Sequence, residues 1–121
     1  MVLAKEQVMN LSGSELDKLV ATANGWGKTY FNDDDFGDGD DYWCCPKEDR
    51  RVCCVKDYHP TTNGTQCMEI MQRERIEVKS KDGHWFAKID NEAMFSSATG
   101  ETAMIAICRC FVASKLEVIN G

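Results

Sequence analysis

The stretch from Thr99 to Leu116, TGETAMIAICRCFVASKL, limits the fold more than any other part of the chain. Ala103 to Cys108 and Cys110 to Ala113 make it apolar on almost every side, so a helix over it must be covered on more than one face. It is too short to span a bilayer, and Arg109 interrupts it. A long cation in such a helix either snorkels outward or meets an anionic partner, which makes Arg109 the first candidate ligand-binding residue. Thr99 is the expected N-cap, with Glu101 near the positive end of the helix dipole and Lys115 near the negative end.

A second firm signal lies upstream. Asp82-Gly83 is a favoured two-residue hairpin loop, and counting outward from it pairs Lys81 with His84, Ser80 with Trp85, Lys79 with Phe86, Val78 with Ala87, Glu77 with Lys88 and Ile76 with Ile89. Alternation then sends Ile76, Val78, Ser80, Trp85, Ala87 and Ile89 toward the final helix. The opposite face carries Glu77, Lys79, Lys81, His84, Phe86 and Lys88, with Glu77 and Lys88 as a cross-strand ion pair. Asn91 to Gly100 reads as a loop.

Near the N-terminus, Ser12-Gly13-Ser14-Glu15 has capping-box spacing, with Leu11 and Leu16 at the positions of a hydrophobic staple. Leu16, Leu19, Val20 and Ala23 follow at helical spacing, and Asn24-Gly25 supplies a stop. Gly25 to Asp41 mixes aromatics with glycines and six aspartates, and reads as an acidic surface loop at 32–41. Tyr42 to Lys56 reads as a hairpin with YWCC and RVCCVK as strands. Next comes a turn-rich connector, Asp57 to Gly64, in which Pro60 holds His59 extended and Asn63-Gly64 favours a tight reversal. Thr65 to Met71 suits a short helix, with Met68 and Met71 as core fillers. The order predicts a single α+β domain over 1–121. It is a small two-layer arrangement of antiparallel hairpins packed against an N-terminal and a C-terminal helix.

Charge and cysteine usage narrow the chemistry. The formal net charge of −6 argues against a broad nucleic-acid surface, since phosphate contacts need clustered Lys and Arg. The element order superficially resembles the double-stranded-RNA-binding fold, but no lysine cluster opens the final helix, so no duplex binding is expected. The first thirteen residues lack the form of a signal peptide, and a cytosolic setting follows. Seven cysteines cannot all pair internally, and in a reducing cytosol they read as thiols with packing roles. Adjacent cysteines on a strand point to opposite faces, so the two Cys-Cys pairs do not readily form a four-ligand zinc site. The aspartate run lacks the spaced ligand ladder of a calcium loop. No metal or cofactor is expected.

Several segments resemble the small tailed-phage proteins called NinX. These are Leu11 to Asp17 as LSGSELD, Tyr58 to Asn63 as YHPTTN, Ile70 to Ile76 as IMQRERI, Trp85-Phe86-Ala87, and above all Ala103 to Leu116 as AMIAICRCFVASKL. The resemblance covers most of the chain outside Asp33 to Cys54. It departs at Asn63-Gly64-Thr65, where the family usually has a tryptophan. It implies a viral accessory protein acting in the host cytoplasm, and it implies no reaction.

No motif fixes a nucleophile beside its base, and Gly25-Trp26-Gly27-Lys28-Thr29 lacks the spacing of a phosphate-binding loop. Two binding functions are therefore carried forward. The first is an anti-defence role: sequestering a small, anionic, nucleotide-like host molecule. Trp26, Tyr30, Tyr58, Trp85 or Phe86 would stack a base, Arg73, Arg75, Lys88 or Arg109 would meet phosphate, and the polar connector would contribute His59 and Thr61. The alternative is an inhibitor or modulator of a host protein acting through the acidic loop. A homo-oligomer is expected for either, because small domains often build composite pockets by pairing.

Overall fold

The structure is a computed structural model that describes residues 2–31, 40–48 and 50–121. Its elements run α1 (Lys5–Val8), α2 (Gly13–Ala23), β1 (Gly27–Phe31), β2 (Asp40–Cys45), β3 (Arg50–Cys54), a single 3-10 turn (Val55–Asp57), α3 (Gly64–Glu74), β4 (Glu77–Lys81), β5 (His84–Asp90), β6 (Phe95–Gly100), α4 (Ala103–Ser114) and α5 (Leu116–Asn120). The strands form two three-stranded antiparallel sheets, β1-β2-β3 and β4-β5-β6. The architecture is the expected α+β arrangement of antiparallel strands packed against N- and C-terminal helices.

Helix α4 lies on the inner face of β4-β5-β6 and also touches α1, α2 and α3. Ala106 to Val112 are all buried, so the helix is covered around its circumference, as its apolar composition requires. It begins three residues later than the sequence suggested. Thr102 is the N-cap, its Oγ1 accepting the Ile105 N–H at 3.1 Å, while Thr99 lies in β6 opposite Phe86.

That strand is the larger correction, because Phe95–Gly100 was expected to be loop. Its inward residues Ser96, Ala98 and Gly100 are buried under α4. They are small because the helix comes close, and small residues give no hydrophobic alternation to read. Ser96 Oγ donates to the Cys110 carbonyl at 3.0 Å, and Cys110 Sγ donates to the Ser96 carbonyl at 3.5 Å. At Gly100, an added Cβ would sit 2.7 Å from the Ala106 backbone nitrogen.

The Asp82-Gly83 register is as counted from Lys81↔His84 to Glu77↔Lys88, with φ of 54° and 81° at the two turn residues. Ile76, Ala87 and Ile89 are buried, and Lys88 pairs with Glu77 at 3.6 Å. Helix α2 buries Leu16, Val20 and Ala23 as its stripe requires. Its capping box does not form. Gly13 has φ +58°, which turns the chain away from helical geometry where a Ser12 side chain would cap, and Ser12 makes no capping bond.

Gly25 to Asp41 is not loop throughout. Gly27 to Phe31 pairs with β2 from Gly27↔Cys44 to Phe31↔Asp40, because Thr29, Tyr30 and Phe31 favour a strand and the like charges begin only at Asp33. Of the acidic segment, 32–39 lies outside the described residues, and Asp40 and Asp41 open β2. Asp40 pairs with Lys56 at 2.8 Å, which lowers its carboxyl pKa. Asn63-Gly64 starts α3 rather than a reversal, the Asn63 side chain accepting the Gln66 N–H at 3.0 Å. Cys67 and Ile70 are the buried residues of α3, and Met68, expected in the core, is exposed.

Two outcomes follow from the contact between α4 and β6. Gly100→Ala should lower stability by about 1–3 kcal/mol through overpacking against backbone, read as a fall in Tm; an unchanged Tm would contradict the close approach. Burial pushes the Cys110 thiol up from 9.0 to about 11, so its neutral form is favoured in the fold. That contribution is complete below pH 9 and is lost as pH rises toward 11. Tm measured across this range should fall above pH 9, less steeply in Cys110→Ala.

Candidate functional site

The sequence candidates divide into one group that converges and several that do not. Helix α2 ends at Ala23, and Asn24 as its C-cap leads through Gly25, at φ +87°, into Trp26 at the mouth of β1. Helix α3 brings Arg73 from the opposite side on its last turn. Between them lies a cleft of about 240 Å³, lined by Asn24, Trp26, Arg73, Glu74, Phe111 and Lys115. A hollow of about 390 Å³ adjoins it, sharing Ala23, Asn24 and Lys115 and adding Lys47 from the β2-β3 turn.

The Asn24 amide organises the cleft. Its Nδ2 donates to Tyr58 Oη at 3.0 Å, and its Oδ1 accepts from Arg73 Nη2 at 2.7 Å. Tyr58 supports Trp26 edge to face, with ring centroids 5.0 Å apart. Burial raises the Tyr58 phenol well above its ordinary value, so it stays neutral behind the indole. The Arg73 guanidinium lies over the Phe111 ring, 5.2 Å from its centroid, and its Nε donates to Glu74 Oε2 at 2.9 Å. Lys115 approaches the same carboxylate at 3.9 Å. Glu74 is thus held between two cations, and the rim keeps net positive charge on a chain of net charge −6.

Trp26, Tyr58 and Arg73 are therefore brought together, and the other candidates lie elsewhere. His59 lines a separate hollow of about 200 Å³ with Asp17, Trp43 and Tyr58, its backbone N–H donating to Gln66 Oε1 at 2.8 Å. Thr61 is buried, and its N–H donates to the buried Asp17 Oδ1 at 2.9 Å. Its hydroxyl has no partner among the described residues. Trp85 packs on the core from the inner face of β5.

Arg109 corrects the two-way expectation drawn from the sequence. It does not snorkel, and among the described residues it meets no carboxylate: at 6% exposure, its Nε donates to the Leu11 carbonyl and its Nη1 to the Thr99 carbonyl, each at 2.9 Å. Both oxygens lie where a chain segment enters or leaves regular structure, and such acceptors are invisible in a sequence. Asn24, Glu74, Lys47 and Lys115 were also missed as site residues. In the sequence Lys115 stands out only as a helix-end charge and Asn24 only as a helix stop. Their convergence depends on how α2, α3 and α4 pack.

The fold is an α+β domain of antiparallel sheets around a buried C-terminal helix, with an aromatic-cationic cleft beside that helix. Residues 7–115 match the family model described as Bacteriophage P22, NinX, and the chain belongs to that phage family. Comparison with curated proteins gives no match. Among the described residues, no helix is long and apolar enough to cross a membrane.

The Arg109 geometry has a direct consequence for stability. Arg109→Ala removes two charge-assisted bonds from buried surroundings and should lower unfolding free energy by about 3 kcal/mol or more. Urea denaturation with an unchanged midpoint would contradict the structural tie.

Proposed function

We propose that this NinX-family phage protein is a non-catalytic binding protein that sequesters a small anionic, nucleotide-like host molecule in the Trp26–Arg73–Lys115 cleft. The observation that carries the reading is the meeting of an indole and two cations in one hollow of an otherwise acidic chain. The indole offers a face for a base, and a guanidinium held by Asn24 and Phe111 is pre-positioned for phosphate. Phosphate would compete with Glu74 for Arg73 and Lys115, which favours a ligand of more than one negative charge. The adjoining hollow brings the combined space into the range of small-molecule sites and adds Lys47. The setting we infer is the host cytoplasm, where sequestration would blunt a defence signal. A second copy of the chain would add a wall to the cleft.

The test is a thermal-shift and calorimetric panel of linear and cyclic nucleotides, together with mass spectrometry of small molecules carried by protein purified from infected cells. A ligand should raise Tm, with Lys115→Ala and Arg73→Ala each weakening its binding about tenfold or more. No shift across the panel and no carried molecule would overturn the proposal.

A further inference from the structure

Among the described residues, nothing covers the face of β4-β5-β6 turned away from α4. Its outward positions are Glu77, Lys79 and Lys81 on β4, then His84, Phe86, Lys88 and Asp90 on β5, and Phe95, Ser97 and Thr99 on β6. Phe86 is 39% exposed and Phe95 63%, so two aromatic rings meet solvent on the same sheet face. They flank a groove of about 290 Å³ whose walls include Lys79, Lys88 and Ser97. The charge on these positions also runs against the rest of the molecule. Three lysines and a histidine face two carboxylates, one of them, Glu77, already paired with Lys88, whereas the chain as a whole has 20 acidic and 14 basic residues.

Size helps to decide what such a face fits. Three strands about 4.8 Å apart and five to seven residues long give a footprint of roughly 300 Å². A narrow polymer that lays flat rings on two aromatics and charge on neighbouring lysines needs no more area than this. We infer that this sheet face binds a short stretch of single-stranded nucleic acid, with Phe86 and Phe95 as base-stacking positions and Lys79, Lys81 and Lys88 as phosphate contacts. Duplex is disfavoured, because its bases are stacked inside the helix and cannot reach the rings. The site is separate from the Trp26 cleft and does not depend on it.

Fluorescence anisotropy with labelled ten-nucleotide RNA and DNA strands tests the assignment, with the matching duplexes alongside. Single strands should bind and duplexes should not; the RNA and DNA arms identify the preferred sugar. Phe86→Ala and Phe95→Ala should each weaken binding about tenfold. Both side chains are exposed, so circular dichroism and Tm should stay at wild-type values. Lys79→Ala should reduce the log–log salt slope by about 0.7, a readout that a merely structural role would not move. Absence of single-strand binding would overturn the inference, as would equal binding of duplex or unchanged affinity in the Phe86→Ala/Phe95→Ala double variant. Binding of polyglutamate in place of oligonucleotide, or a dimer in light scattering that Phe86→Ala dissolves, would assign the face to a protein partner and overturn it as well.

Discussion

Seven consecutive buried residues in α4, Ala106 to Val112, impose a geometric demand that the other elements answer. No single sheet can cover a helix on every side. Strands β4 to β6 take one face, while α2, α3 and α1 close the others. The small residues of β6 let the sheet come close, and Gly100 marks the point where helix backbone and strand backbone leave no room for a Cβ. The hydrophobic effect supplies the drive here, and close packing decides which residues are tolerated.

Enclosing the helix also encloses Arg109, and among the described residues its charge is met by two backbone carbonyls and by no carboxylate. Its guanidinium spans the Leu11 carbonyl just before α2 and the Thr99 carbonyl in the strand β6, segments far apart in the chain. One side chain thus ties these two segments together through their backbone acceptors. The candidate cleft uses the same device at lower burial. Asn24 joins the end of α2 to Arg73 of α3 and to Tyr58, so the polar groups that shape the cleft also join the helices around it.

What was legible in the sequence was periodic. The Asp82-Gly83 turn gave the register of its hairpin, and the Leu16–Val20–Ala23 stripe gave the buried side of α2, because both depend on local spacing. Strand β6 was missed because its buried positions are the small residues Ser96, Ala98 and Gly100, and β1 because its short Thr29-Tyr30-Phe31 run lies between glycines and the aspartate-rich stretch. The N-cap moved from Thr99 to Thr102 for the same reason, since β6 claims Thr99 before the helix can. The candidate cleft was half legible. Residue chemistry picked out Trp26, Tyr58 and Arg73, while Asn24, Glu74 and Lys115 join them only through tertiary packing, and His59, Thr61, Trp85 and Arg109 are placed elsewhere by the same packing.

The two ends of the fold meet in an amide clasp, the Leu3 N–H donating to Asn120 Oδ1 at 2.8 Å and Asn120 Nδ2 returning to the Leu3 carbonyl at 2.9 Å. Helices α1 and α5 have four and five residues, too few to hold helical form alone. The clasp ties segments more than a hundred residues apart, so opening of either end removes two hydrogen bonds from the other. Lys115 stands at the junction of α4 with α5 and also lines the candidate cleft, so the stability of this seam bears directly on the rim of that cleft.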